Sequence, residues 1–180
     1  AIQDERTYSH CVFASIKNKP DEISGTEEMK SFKQNLKLND MRLVTGEKEF
    51  PDEVTIQIQT IFPDLVLQQQ GNSLQLRYVI PRGPDEFELL WTYFGYETDD
   101  EEMTLRRLRQ ANLTGVAGYV SVDDTSVLEY SGSGHRSNPD NISLMVLGGR
   151  DAAPPKDANM VTEGPIRGFY DYYRKVMYQN

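Results

Sequence analysis

The chain has 180 residues and a formal charge of −9, with a pI near 4.7, and one domain of this length can remove roughly 70% of its unfolded surface from water. Apolar residues at 38%, with 10 Tyr, 7 Phe and 1 Trp, exclude a disordered chain, while the acidic balance without a basic stripe opposes nucleic acid as a partner. No apolar run approaches the roughly 18 residues of a membrane span and the first residues do not read as a secretory signal, so a soluble, cytoplasmic protein without a membrane partner is expected.

Residues 6 to 16 read as a first strand. Cys11 is the single cysteine, so no internal disulfide is possible; as a small apolar residue in a strand it receives no role. Lys17 to Phe50 is polar with weak periodicity and predicts a short helix near Glu27 to Leu36 within loop. From Val54 the period becomes two: Val54, Ile56 and Ile58 alternate with Thr55, Gln57 and Gln59, and Leu65–Gln70 forms the next strand after Pro63-Asp64. Gly71-Asn72 turns into Leu74–Ile80, where Gln75, Arg77 and Val79 share the face opposite Leu74, Leu76 and Tyr78. Glu86 to Tyr96 is apolar on both sides. These four strands predict an antiparallel meander.

Thr98-Asp-Asp-Glu101 matches a capping box and opens a long helix, along which Glu102, Arg106, Arg107 and Arg109 read as a solvated, charge-paired face. Gly115 and Gly118 interrupt the helical pattern just before Asp123-Asp124. Glycine costs about 1 kcal/mol relative to alanine inside a helix, so the pair marks either a packed kink before a polar turn or a close backbone approach to another group. Beyond Asp124, glycine- and proline-rich loops surround Ile142–Leu147, read as a last strand or buried extended piece. Gly164-Pro165 then opens a helix with Ile166, Phe169, Tyr173, Val176 and Met177 along one apolar stripe. Strands followed by helices define an α+β class. His10 and His135 are the only histidines and lie at no metal-binding spacing; no nucleophile elbow, P-loop or dinucleotide fingerprint is present. From the residues alone, a ligand-binding α+β domain follows.

Six blocks in order add a family resemblance: Val54–Pro63, Leu67–Gln70, Leu90–Tyr96, Arg107–Gly115, Ala117–Ser121 and Arg167–Arg174. They resemble the catalytic domain of Rieske non-haem iron ring-hydroxylating oxygenase large subunits, in the branch acting on aromatic acids such as terephthalate, anthranilate and salicylate. The resemblance implies a helix-grip fold, an antiparallel sheet wrapped around a long C-terminal helix. It implies Fe(II) held by two histidines and one carboxylate, with positions open for O2. It also implies a [2Fe-2S] cluster fed from NAD(P)H through a reductase or ferredoxin, and a trimer of large subunits with or without a small subunit.

The family pattern Gly-Pro-Ala-Gly, an aromatic, three residues, then an acid and Asp maps onto Gly115 to Asp124, which places Asp124 at the metal-ligand position. Val116 stands where proline is usual, and Asp124-Thr-Ser stands where many relatives carry Asp-Gly-Glu. The same resemblance implies that Asn112, Leu113, Thr114 and Val116 border the ring pocket. An aromatic carboxylate calls for a planar cation, and Arg77 and Arg167 are the candidates. The cluster ligands and the iron's histidine pair are not among these residues, so the chain is expected to be the C-terminal part of a single catalytic domain, its Rieske domain and first part lying elsewhere, and inactive alone. A non-catalytic binding module using the same cavity, and a structural subunit, are the competing expectations.

Overall fold

A computed structural model describes residues 2–16, 40–138, 140, 142, 144, 146–150 and 162–178. Among them six strands form one antiparallel sheet in sequence order: β1 (Ile2–Gln3), β2 (Cys11–Ile16), β3 (Val54–Ile61), β4 (Leu65–Gln70), β5 (Ser73–Pro81) and β6 (Phe87–Phe94). Three helices follow: α1 (Glu101–Thr114), α2 (Tyr119–Ser137) and α3 (Gly164–Met177). This is the expected helix-grip α+β class, and the meander from Val54 onward matches the period-two pattern.

Register fixes which side chains share a face, because residues directly opposite on antiparallel strands point the same way. Phe13, Ile58, Gln68, Gln75 and Tyr93 form one row across the sheet, and Cys11, Thr60, Val66, Arg77 and Trp91 form the next. Helices meet this inner face at both ends. Gln75 bonds Thr114 of α1 at 2.6 Å, and at the other end Phe62 stacks on Phe169 and Tyr172 of α3 at 5.1 and 5.0 Å between centroids. Gly168 of α3 lies so near the Tyr8 carbonyl that a Cβ there would overlap it.

Several sequence expectations are corrected. The first strand is not continuous from residue 6: Asp4 accepts hydrogen bonds from the Thr7 and His10 amides and the Thr7 hydroxyl. That folds residues 5–8 into a turn with Tyr8 at φ 58°. The cap of α1 is Asp100, which accepts from the Met103 amide at 2.8 Å, not Thr98. The long helix is two helices, broken at Gly115–Gly118. Arg107 leaves the solvated face assigned to it and is buried. Ile142, Leu144 and Val146 are exposed and lie in no strand. The apolar stripe of α3 is covered only near Phe169, with Ile166, Tyr173, Val176 and Met177 exposed. The helix expected near Glu27 to Leu36 lies outside the described residues.

The interior is unusually polar: among the described residues Leu74 is the one buried large apolar side chain, beside Gln68, Asn72, Gln75, Arg107, Gln110 and Thr114. Buried polar groups persist only when bonded, and these are tied together. Arg107 pairs with Glu49 and with Asp99, donates to the Asn72 carbonyl and stacks over Tyr96 at 5.4 Å. Gln110 accepts from the Asn72 amide at 2.7 Å and donates to the Thr45 carbonyl at 3.0 Å. Segment 45–49, the β4–β5 turn and α1 are thereby locked together.

Candidate functional site

The centre of the inner face carries the chemistry. Gln75 is fully buried, and its amide is completely used: Nε2 donates to Ser73 Oγ at 2.9 Å and Thr114 Oγ1 at 2.6 Å, while Oε1 accepts from Trp91 Nε1 at 2.9 Å. Trp91, fixed at its indole nitrogen, offers its ring to the cross-strand neighbour Arg77, whose guanidinium lies 5.0 Å from the ring centroid. A stacked guanidinium keeps its in-plane donors available while its flat face is covered. Among the described residues no hydrogen bond or ion pair engages Arg77, and its Nε is buried without an acceptor. Burial lowers the Arg77 pKa from its ordinary value, and the field of Asp124 opposes that shift. Arginine stays charged throughout any accessible pH, so the site presents a fixed, partly dehydrated cation.

The helix break above this floor follows from the two glycines. A Cβ at Gly115 would overlap the Tyr93 hydroxyl and the Ala111 carbonyl, and one at Gly118 would sit 2.7 Å from the Leu113 carbonyl. The Tyr93 hydroxyl accepts from the Val116 amide at 3.1 Å, which leaves that break anchored to β6. Close backbone approach is therefore what the glycine pair serves, and α2 departs from that point carrying Asp123 and Asp124. Both carboxylates are exposed; Asp124 nonetheless acts electrostatically on Arg77.

The remaining candidates separate. Thr114 is buried within the floor network. Leu113, with Gln110, lines a hollow of about 420 Å³ bounded by residues 43–56 and 69–71. Asn112 is exposed and returns its amide to the Leu108 and Arg109 carbonyls of its own helix, and Val116 is 62% exposed. Arg167 donates to the Leu147 carbonyl at 3.3 Å and pairs with Glu163 at 4.0 Å. The fold thus brings Arg77 and Thr114 into one network, with Asp124 in electrostatic reach of Arg77. Gln68, Gln75 and Trp91 were not among the site residues expected from the sequence. The signal that could have found them was the glutamine–arginine alternation of β5, polar residues on what must be a covered face.

An antiparallel sheet carrying helices on a polar inner face, with an acidic pair after a glycine break, defines a helix-grip domain with a buried polar floor. The family described as ring hydroxylating alpha subunit, catalytic domain, matches residues 5–179, and the chain belongs to it. It is 44% identical over 156 residues to the large oxygenase component of salicylate 5-hydroxylase from Ralstonia sp, covering 86% of this chain and 36% of that protein. Against the anthranilate 1,2-dioxygenase large subunit of Burkholderia cepacia it is 34% identical over 98% of this chain and 42% of that protein. Against the terminal oxygenase component subunit alpha 2 of terephthalate 1,2-dioxygenase from Comamonas sp, identity is 35% over 99% and 43%. The chain thus spans about two fifths of the length of these relatives. Among solved structures, naphthalene 1,2-dioxygenase from Rhodococcus sp. bound to indole matches with a TM-score of 0.53 at 18% identity, covering 69% of this chain and 33% of that one; at that identity the match shows the fold.

Proposed function

We propose that these residues are the catalytic-domain portion of a large subunit that hydroxylates an aromatic carboxylic acid, and that Arg77 anchors the substrate's carboxylate. The single observation carrying this is a half-buried guanidinium stacked on Trp91 that makes no hydrogen bond or direct ion pair among the described residues. Leaving such donors empty is costly, and a carboxylate presents the two acceptor oxygens a planar fork takes up. Family membership favours the catalytic role over a binding module or a structural subunit.

The family implies a non-haem iron and a Rieske-type cluster. Among the described residues no three of His, Cys, Asp or Glu converge on a metal position, so these residues do not by themselves fit the iron; Asp124 is proposed as one donor to it. The [2Fe-2S] cluster, electrons from NAD(P)H through a reductase or ferredoxin, and assembly into trimers with or without a small subunit belong to the same proposal at the level of the whole subunit. Within this chain, the Gln75–Trp91–Thr114 bonds hold the floor rigid and Arg77 orients the acid upon it. Trp91 covers one face of the cation and keeps water off it, which strengthens the charge–charge contact. Asn112, Leu113, Thr114 and Val116 are proposed to border the ring, and Arg167 to be a second cation for the acid; of these Thr114 has the strongest support.

Isothermal titration of the intact protein with benzoate tests the anchor. Arg77→Met is expected to weaken binding by tenfold or more, and Arg77→Lys to recover only part, because an ammonium cannot form the bidentate contact. Benzoate affinity unchanged in Arg77→Met would overturn the assignment.

A further inference from the structure

We propose that Tyr93 is a positioning residue: its hydroxyl holds the Val116 amide, fixes the turn between α1 and α2, and so sets where α2 carries Asp124 above the floor. The consequence for the reaction rests on the role proposed for Asp124; the geometry of the turn does not. The Gly118 amide donates to the Gly115 carbonyl at 2.7 Å, which closes residues 115–118 into a β-turn with Val116 second and Ala117 third. Neither of these has a positive φ, so the turn needs no glycine at its centre. Its second position is the one proline favours, because the ring presets φ. Val116 presets nothing, and with its side chain 62% exposed packing does not hold it either. What position 116 contributes is its amide, donated to the Tyr93 hydroxyl at 3.1 Å.

That bond completes a clamp. Gln75 and Tyr93 stand directly opposite each other across β5 and β6. Gln75 donates to Thr114 Oγ1 at 2.6 Å and Tyr93 takes the Val116 amide, so one cross-strand pair grips the residues on both sides of Gly115. A Cβ at Gly115 would overlap the Tyr93 hydroxyl; glycine is what lets the phenol come this close. Asp124 lies in the second turn of α2, and a pivot at residues 115–118 is carried to it by the helix. Proline at 116 would restrain the same turn by its ring, but not beside Tyr93, because its Cδ would take the place of the amide hydrogen and meet the hydroxyl. Hydroxyl and proline therefore exclude each other, and one can be exchanged for the other.

The test is a cycle of Tyr93→Phe, Val116→Pro and the double variant in the intact protein. The Val122 amide, which donates to the Gly118 carbonyl at 3.0 Å, reports by hydrogen exchange on the start of α2. Tyr93→Phe should speed its exchange about fivefold, the worth of one net hydrogen bond, and Val116→Pro at least as much. The double variant should return to within about twofold of wild type. With benzoate as the probe, kcat should fall in each single variant and recover in the double, with KM unchanged within about twofold, because Arg77 is untouched. Unchanged exchange in Tyr93→Phe, or a double variant no better than the worse single, overturns the clamp; the second result would mean that the Tyr93 ring acts by packing alone. Exchange that follows the cycle while kcat does not would overturn the positioning of Asp124. A wild type that turns over no benzoate would count against the proposed function and its consequence here together, and the exchange cycle would still decide the clamp.

Discussion

Replacing Arg107 with methionine removes a cation at the junction of three segments while keeping most of the side chain's apolar volume. The Arg107 side chain is 7% exposed, and its partners Glu49 and Asp99 are 14% and 10% exposed, so neither carboxylate can turn to solvent without moving backbone. The Asn72 carbonyl loses its guanidinium donor as well. Breaking a buried ion pair from one side costs about 3–5 kcal/mol, because the other charge stays buried without compensation. For a domain of this size each kcal/mol lowers Tm by about 2–4 °C, giving an expected fall of roughly 6–20 °C by calorimetry. The pH dependence adds a signature. Hydrogen bonding from Arg107 holds the Asp99 carboxyl below its ordinary value. In the wild type this contribution is present above the unfolded pKa and is lost as pH falls through the lower folded value. In Arg107→Met, burial without the cation raises that carboxyl instead, so the penalty is largest near neutral pH and shrinks on acidification through the raised value. Chemical denaturation at pH 7 and pH 4.5 should show the two proteins converging at the lower pH. A loss below about 1 kcal/mol, the range of exposed pairs such as Arg42–Asp40, or a gap independent of pH, would refute this account of the junction.

Two further outcomes follow from local geometry. Asp100→Ala should cost about 1 kcal/mol by removing the acceptor of the Met103 amide, whereas Thr98→Ala should cost less than half of that; the reverse order in urea denaturation would restore the capping box at Thr98. Gly115→Ala should destabilise by about 1–3 kcal/mol, since its Cβ would overlap the Tyr93 hydroxyl and the Ala111 carbonyl. Tyr93→Phe in the same background should recover part of that loss, and no recovery by thermal melting would mean that the Ala111 carbonyl alone sets the clash.

Local physics was readable along much of the chain. The alternation from Val54 to Phe94 dictated strands, because a period of two can bury one face only in extended backbone. Gly164-Pro165 announced a helix, because proline's fixed φ and missing amide suit a first turn. Gly115 and Gly118 announced that backbone comes close to something there. Other features were settled by partners distant in sequence. Arg107 looked like one of several arginines on a charged helix face, and only the arrival of Glu49, Asp99 and Asn72 made it interior. Thr98 and Asp100 offered equivalent caps until the chain's entry angle chose between them.

The floor shows the same division. Alternation by itself put Gln75 and Arg77 on one side of β5, but not which side the helices cover. That choice belongs to tertiary packing, since Thr114 and the Val116 amide descend on the Gln75 face and Phe169 closes on Phe62 at the other end. Sequence determined the periods, breaks and charges of this protein because those depend on neighbours a few residues away. Which charges become dry, and which amides are left without partners, depends on surfaces meeting across the sheet, and no local pattern encodes that.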